Sequence, residues 1–143
     1  MFPQILAFSL WLSFQLITLP SSTAQSFAGK WKGTSEGEVG MMSFDKKGCI
    51  AFIIDGKEVG GKKFSSEGVD LTMHYEYNEK VEPHTLDFVI SYADGSMELT
   101  RMLGIYKFVN DKTLIINMDF HGRSRPEEFD DDDKNQVTLT KIK

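Results

Sequence analysis

Gly33-Thr34-Ser35-Glu36-Gly37 carries the Gly-x-Ser-x-Gly spacing of a hydrolase nucleophile elbow. Such an elbow raises its serine on a sharp turn between a strand and a helix, beside N–H groups that hold an oxyanion. Here the elbow would be followed by Glu38-Val39-Gly40-Met41-Met42-Ser43-Phe44, which reads as another strand. Two glycines around a serine then describe a hairpin, and no nucleophile is expected. The histidines, His74, His84 and His121, lie far apart and form neither His-x-His nor His-Glu-x-x-His, so no zinc set can be read from them. Glu127-Glu128 and Asp130-Asp131-Asp132-Asp133 form a dense acidic run without the alternating ligands and central glycine of an EF-hand. A solvated, self-repelling loop before the last strand is the expected reading. No catalytic residue, metal ligand or cofactor is assigned.

The elements that would carry these groups begin with an export segment. Residues before Lys30 are uncharged, and Ile5 to Leu19 is mostly apolar until Pro20 breaks it. Ser22-x-Ala24 then supplies small residues for a signal peptidase, so cleavage near Ala24/Gln25 is expected. The n-region lacks Lys and Arg, but the stretch is short and polar-diluted for a span, and no basic cluster stops it. Residues 1–24 are therefore read as a signal peptide and 25–143 as one domain, secreted or periplasmic, with no stable membrane insertion after cleavage. The formal charge of −5 falls wholly on that domain and argues against nucleic-acid partners. The single cysteine, Cys49, cannot make an intrachain disulfide and sits in the apolar run Cys49-Ile50-Ala51-Phe52-Ile53-Ile54, so an inert thiol is expected. Packing alone must hold the domain, with 12% aromatic residues to do it.

After Gln25 the chain has no helical period. Strands are expected over Phe27–Ser35, Glu38–Asp45, Cys49–Ile54, Lys57–Ser65, Val69–Tyr77, His84–Tyr92, Met97–Val109, Lys112–Phe120 and Gln136–Ile142. Asp55-Gly56 is a hairpin turn, Gly60-Gly61 interrupts the fourth run, and Gly104 is read as a bulge. Counting the glycine-rich run as irregular leaves about eight strands. The fold class is all-β, a single antiparallel up-and-down barrel, which removes exposed sheet edges.

Gly29-Lys30-Trp31 matches the Gly-x-Trp of the first lipocalin strand. Gly104-Ile105-Tyr106, Asp111-Lys112-Thr113-Leu114 and Arg125-Pro126-Glu127-Glu128-Phe129 follow in order. Together they make the mature chain resemble small exported bacterial lipocalin-like domains, calycin-type barrels without an assigned activity. The resemblance implies that Gly29 and Trp31 close the barrel floor. There Arg123 or Arg125 would stack on the tryptophan, a cation–π contact of about 1 kcal/mol, and Phe129 would fix the loop.

The functional expectation is a non-enzymatic, monomeric carrier that binds a small hydrophobic or amphipathic ligand in a narrow cavity. Phe52, Tyr75, Phe88, Tyr92, Tyr106 and Met118 are the candidate lining. The alternative is a protein-interaction or inhibitor module with a side-chain-filled barrel, acting through loops such as Glu127 to Asp133. An isomerase or hydrolase would need a polar cluster converging in the lumen, and none can be pointed to.

Overall fold

The structure is a computed structural model and describes residues 26–35 and 38–142. The expected signal peptide and its cleavage point lie outside the described residues. Ten strands are present among them: β1 (Gly29–Ser35), β2 (Glu38–Phe44), β3 (Ile50–Ile54), β4 (Lys57–Gly60), β5 (Phe64–Ser66), β6 (Val69–Asn78), β7 (His84–Tyr92), β8 (Glu98–Asn110), β9 (Thr113–Asp119) and β10 (Gln136–Lys141). No helix occurs among the described residues.

The strands form one antiparallel sheet in the order β4-β3-β2-β1-β10-β9-β8-β7-β6-β5, nearly closed into a barrel. The first and last strands pair, with Trp31 opposite Lys141 and Gly33 opposite Leu139. The discontinuity therefore falls between β4 and β5. Part of that seam is sewn by a Cys49–His74 bridge and by main-chain bonds from Met73 N–H to Gly61 O and Tyr75 N–H to Gly48 O.

The strand count corrects the expectation of about eight. The run Lys57–Ser65 is two strands, because Gly60 and Gly61 take φ of 112° and 81° and turn the chain out of the β3 ladder. At Gly60 a Cβ would stand 2.7 Å from Ile50 O, so the backbones approach closely there. Asp55-Gly56, with φ of 51° and 77°, makes the tight hairpin between β3 and β4. Gly104 is not a bulge: it pairs in register with Leu86 and Met118, and the register shifts fall at Ile90/Ser91 and Phe108/Asn110. Its side-chain space is taken by Met118 Cε, 2.7 Å from where a Cβ would be, and by two main-chain oxygens at 2.9 Å. After Gly33-Thr34-Ser35-Glu36-Gly37 the chain enters strand β2 rather than a helix.

Alternation puts one set of side chains inside. Register rows such as Val137–Ile116–Tyr106 and Leu139–Leu114–Phe108 face the lumen together. Trp31, Phe44, Phe88, Leu86, Leu114, Ile116, Met118 and Leu139 are almost completely buried there. The outer wall of β7, β8 and β9 is buried too, since Asp87, Val89, Ile105 and Asn117 are shielded although they point outward. Over part of it runs the long β9–β10 connection, tied down by Asn117 to Glu128 O and by Arg125 to Asp87 and Gly104 O.

Candidate functional site

The two ends of the barrel differ. The lower end carries the turns at 45–49, 79–83 and 111–112, and the segment before β1 closes it. Phe27, 4% exposed, sits among Phe44, Tyr75, Tyr77, Tyr106 and Phe108 with ring centroids 4.8–5.6 Å away. Trp31 is fully buried beside it, and its Nε1–H donates to Phe27 O at 2.8 Å. That bond satisfies the indole N–H and clips the N-terminal segment into the floor. Burial pushes the Tyr106 hydroxyl up to about 12, with Glu79, Tyr77 and Glu82 adding to the effect. Burial and then Asp45 likewise raise Tyr75, whose hydroxyl donates to Asp45 O.

The cation over Trp31 is Lys141, with Nζ 5.4 Å from the ring centroid. This departs from the expectation for Arg123 or Arg125. The chain between Asp119 and Gln136 runs on the outside, so Arg125 meets the outward-facing Asp87 instead: Nη1 lies 2.6 Å from Oδ1 and Nη2 3.3 Å from Oδ2. Arg123 is exposed, with its main-chain N–H bonded to Asp119. Phe129 packs under Lys107 Nζ at 4.4 Å, also on the outer wall. Gly29, with φ of 133°, starts β1 opposite Phe44.

Asp87 is the centre of a charged network that sequence reading missed. Its carboxylate also accepts from Arg101 Nη1 at 3.0 Å, and Arg101 in turn binds Glu76 at 2.6 Å and Glu98 at 2.8 Å. Burial alone would raise the Asp87 carboxyl, but the two guanidinium groups outweigh it and hold it below its ordinary value. Glu76 is lowered chiefly by the Arg101 hydrogen bond. Arg101 is raised, first by Glu98 and then by Glu76. The signal available was an Asp amid the alternating run Leu86-Asp87-Phe88-Val89, but nothing local names its partners.

At the upper end the lining opens. Phe52, Phe64, Ile90 and Tyr92 point inward yet stay half-buried, and Val59 remains 48% exposed. Gly33 and Gly40 pair on the inward face. At Gly33 a Cβ would meet Leu139 and Val137 within 2.8 Å, whereas at Gly40 it would meet nothing within 4 Å among the described side chains. Beside this mouth a cleft of about 610 Å³ separates β4 from β5, lined by Glu58, Val59, Gly60, Lys63, Phe64, Ser65 and Ser66. All six expected lining residues fall on the inward face by register, but at different depths. Phe88, Tyr106 and Met118 are packed core, Tyr75 belongs to the floor, and only Phe52 and Tyr92 reach the mouth. Phe64, Ile90 and Gly40 belong with them.

The histidines stay apart, His74 near Glu76 on the seam, His84 on Val81 O at the floor, and His121 in the outer connection. Among the described residues no three His, Cys, Asp or Glu side chains converge as a metal set. No helix among the described residues is long and apolar enough to cross a membrane. Cys49 is free and half-buried at the seam, and burial followed by the charge of Asp45 raises its thiol.

Fold and site together define a nearly closed antiparallel β-barrel whose inward face is fully buried around Trp31 and Phe88 and partly exposed at Phe52, Phe64, Ile90 and Tyr92. No family model matches the chain, and no curated protein or solved structure is found to match it.

Proposed function

We propose that this is an exported, non-enzymatic, lipocalin-like barrel that holds a small apolar or amphipathic molecule in its upper mouth. The reading rests on one contrast. The inward face is completely buried around Trp31 and Phe88, yet its upper members Phe52, Phe64 and Ile90 remain partly exposed, and a Cβ at Gly40 would meet nothing within 4 Å among the described side chains. Covering that ring with an acyl chain or a single ring removes apolar area from water at ~25 cal/mol per Å². The adjoining β4–β5 cleft, with Lys63, Ser65 and Ser66 on its wall, leaves room for a polar end. The filled floor limits the ligand to the upper half.

The test is titration of the exported protein with N-phenyl-1-naphthylamine, alongside native mass spectrometry for co-purifying molecules. Saturable fluorescence enhancement that Gly40→Leu abolishes, with the fold intact by circular dichroism, is the expected outcome. No enhancement and no bound mass would overturn the reading.

The interaction-module reading draws on a different observation. Ile54, Val69, Met97 and Leu99, at or beside the upper turns, are 41–54% exposed. A protein complex isolated from the exported fraction that survives Gly40→Leu but is lost with Met97→Asp and Leu99→Asp would favour it.

A further inference from the structure

The two ends of the barrel carry opposite charge, which the net value of −5 conceals. The lower end holds Lys30, Lys46, Lys47, Lys80, Lys112 and Lys141, all exposed except Lys141, which lies over Trp31. Asp45, Glu79, Glu82 and Asp111 stand against those six, so that end is positive by two. The remaining ten basic and seventeen acidic side chains put −7 on the rest of the chain. Apolar side chains project at the same lower end: Tyr77, Val81, Val109 and Ile142 are 41–58% exposed. Contacts tie these groups into one rim. Ile142 N–H donates to Lys30 O, Lys141 N–H to Lys112 O, and the Tyr75 hydroxyl to Asp45 O. The Tyr77 ring lies 5.1 Å from Phe27 and 6.4 Å from Tyr106, and Tyr106 meets His84, whose ring is bonded to Val81 O.

A docking surface feels chiefly the charges within one Debye length, about 8 Å at physiological salt. β8 runs 13 residues from the upper end to the lower. At about 3.3 Å per residue and with the strand tilt of a barrel, that is on the order of 30 Å along the axis. The acidic upper turns therefore stand several Debye lengths from whatever the floor touches, and net charge does not decide what that is. Lysines set among exposed valine, isoleucine and tyrosine suit one kind of surface, negative head groups over a hydrocarbon layer. Tyrosine favours that boundary because its ring is apolar and its hydroxyl is wet. An acidic protein or a nucleic acid would use the charges but leave the apolar tips in water.

We propose that the lower end of the barrel docks reversibly on an anionic lipid bilayer. Tyr77, Val81, Val109 and Ile142 enter the head-group layer while the surrounding lysines meet lipid phosphates. The contact is peripheral, and no strand enters the hydrocarbon. Charge also sets the orientation, since a negative surface attracts the floor and repels the exposed upper carboxylates Asp55, Glu58, Glu67 and Asp94. The mouth then faces away from the bilayer. Docking does not depend on a ligand there.

The experiment is co-sedimentation of the exported protein with vesicles of mixed phosphatidylglycerol and phosphatidylcholine, and of phosphatidylcholine alone, at low and high salt. Binding to the anionic vesicles should be at least about tenfold tighter and should weaken as salt rises. Lys112→Glu and Lys57→Glu make the same change in net charge at opposite ends of the barrel. The first should weaken binding about tenfold, and the second should leave it within about twofold. Val81→Ser combined with Val109→Ser keeps every charge and should also weaken binding about tenfold. Circular dichroism checks that each variant is folded. No binding, equal binding to both vesicles, or equal losses in Lys112→Glu and Lys57→Glu overturns the proposal. So does a serine pair that binds as tightly as the parent, which would make the floor a general polyanion surface.

Discussion

Replacing Phe27 by alanine tests the floor of the barrel most directly. The ring is 4% exposed and touches five other aromatic rings, all contributed by strands that are distant in sequence. A buried phenylalanine removes roughly 150–200 Å² from water, worth about 4–5 kcal/mol at ~25 cal/mol per Å². A compact unfolded chain already hides some of that area, which brings the figure to about 3 kcal/mol. Little collapse can compensate, because the neighbouring rings are held by β2, β6 and β8 rather than by a loop, so the loss lies at the usual 3–5 kcal/mol for Phe→Ala. Urea denaturation of the exported protein, followed by tryptophan fluorescence, reads it, since Trp31 reports the same place. Phe27→Leu should cost about half as much. A chain beginning at Gly29 should lose at least as much as Phe27→Ala, because Trp31 Nε1 also forfeits its acceptor, Phe27 O. A loss under about 1 kcal/mol for Phe27→Ala, against the 3–5 usual for a seated ring, would refute the seating of this ring in the floor.

Acid should weaken the fold through the network around Asp87. The folded Asp87 and Glu76 carboxyls lie below their ordinary values. Their stabilisation is present above about pH 4 and is lost as pH falls through the folded values. Urea midpoints between pH 7 and pH 2 should therefore drop on the acid side, and less steeply in Asp87→Asn, while an identical slope in that variant would count against the network. Arg125→Met should cost only about 1–2 kcal/mol, because the arginine is one-third exposed and Arg101 still faces Asp87. It should also speed proteolytic nicking between Gly122 and Asp133, which limited digestion measures. Gly104→Ala should destabilise by about 1–3 kcal/mol, since main-chain oxygens of Asn117 and Leu86 occupy the space and only Met118 can yield. Chemical denaturation checks it, and a neutral result would mean that β8 and β9 separate more easily than their register suggests.

Strand content was legible because alternation is a local property. Leu86, Phe88 and Ile90 announce an inward face whatever they pack against, and Asp55-Gly56 announces its hairpin through backbone freedom. The six aromatic and methionine residues expected to line a cavity do face inward for the same reason. Their depth was not legible. Phe88 and Met118 are core while Phe52 and Tyr92 reach the mouth, and only the closure of the sheet decides that. Gly60-Gly61 was visible as an interruption, but its division of one run into β4 and β5 depends on how near Ile50 comes. Trp31 meets Lys141 rather than Arg123 or Arg125 because the β9–β10 connection follows the outer wall. Neighbours in sequence carry no trace of that path.

The amino-acid order by itself determined an all-β chain, its turns, and which side of each strand is apolar. These follow from backbone preference and the two-residue period. The tertiary structure alone decided that β1 meets β10 and that the seam opens between β4 and β5. It alone set Phe27 in the floor, joined Asp87 to two arginines and turned Asn117 toward the acidic run. Such pairings join residues far apart in the chain, and only the curvature of the closing sheet brings them within reach.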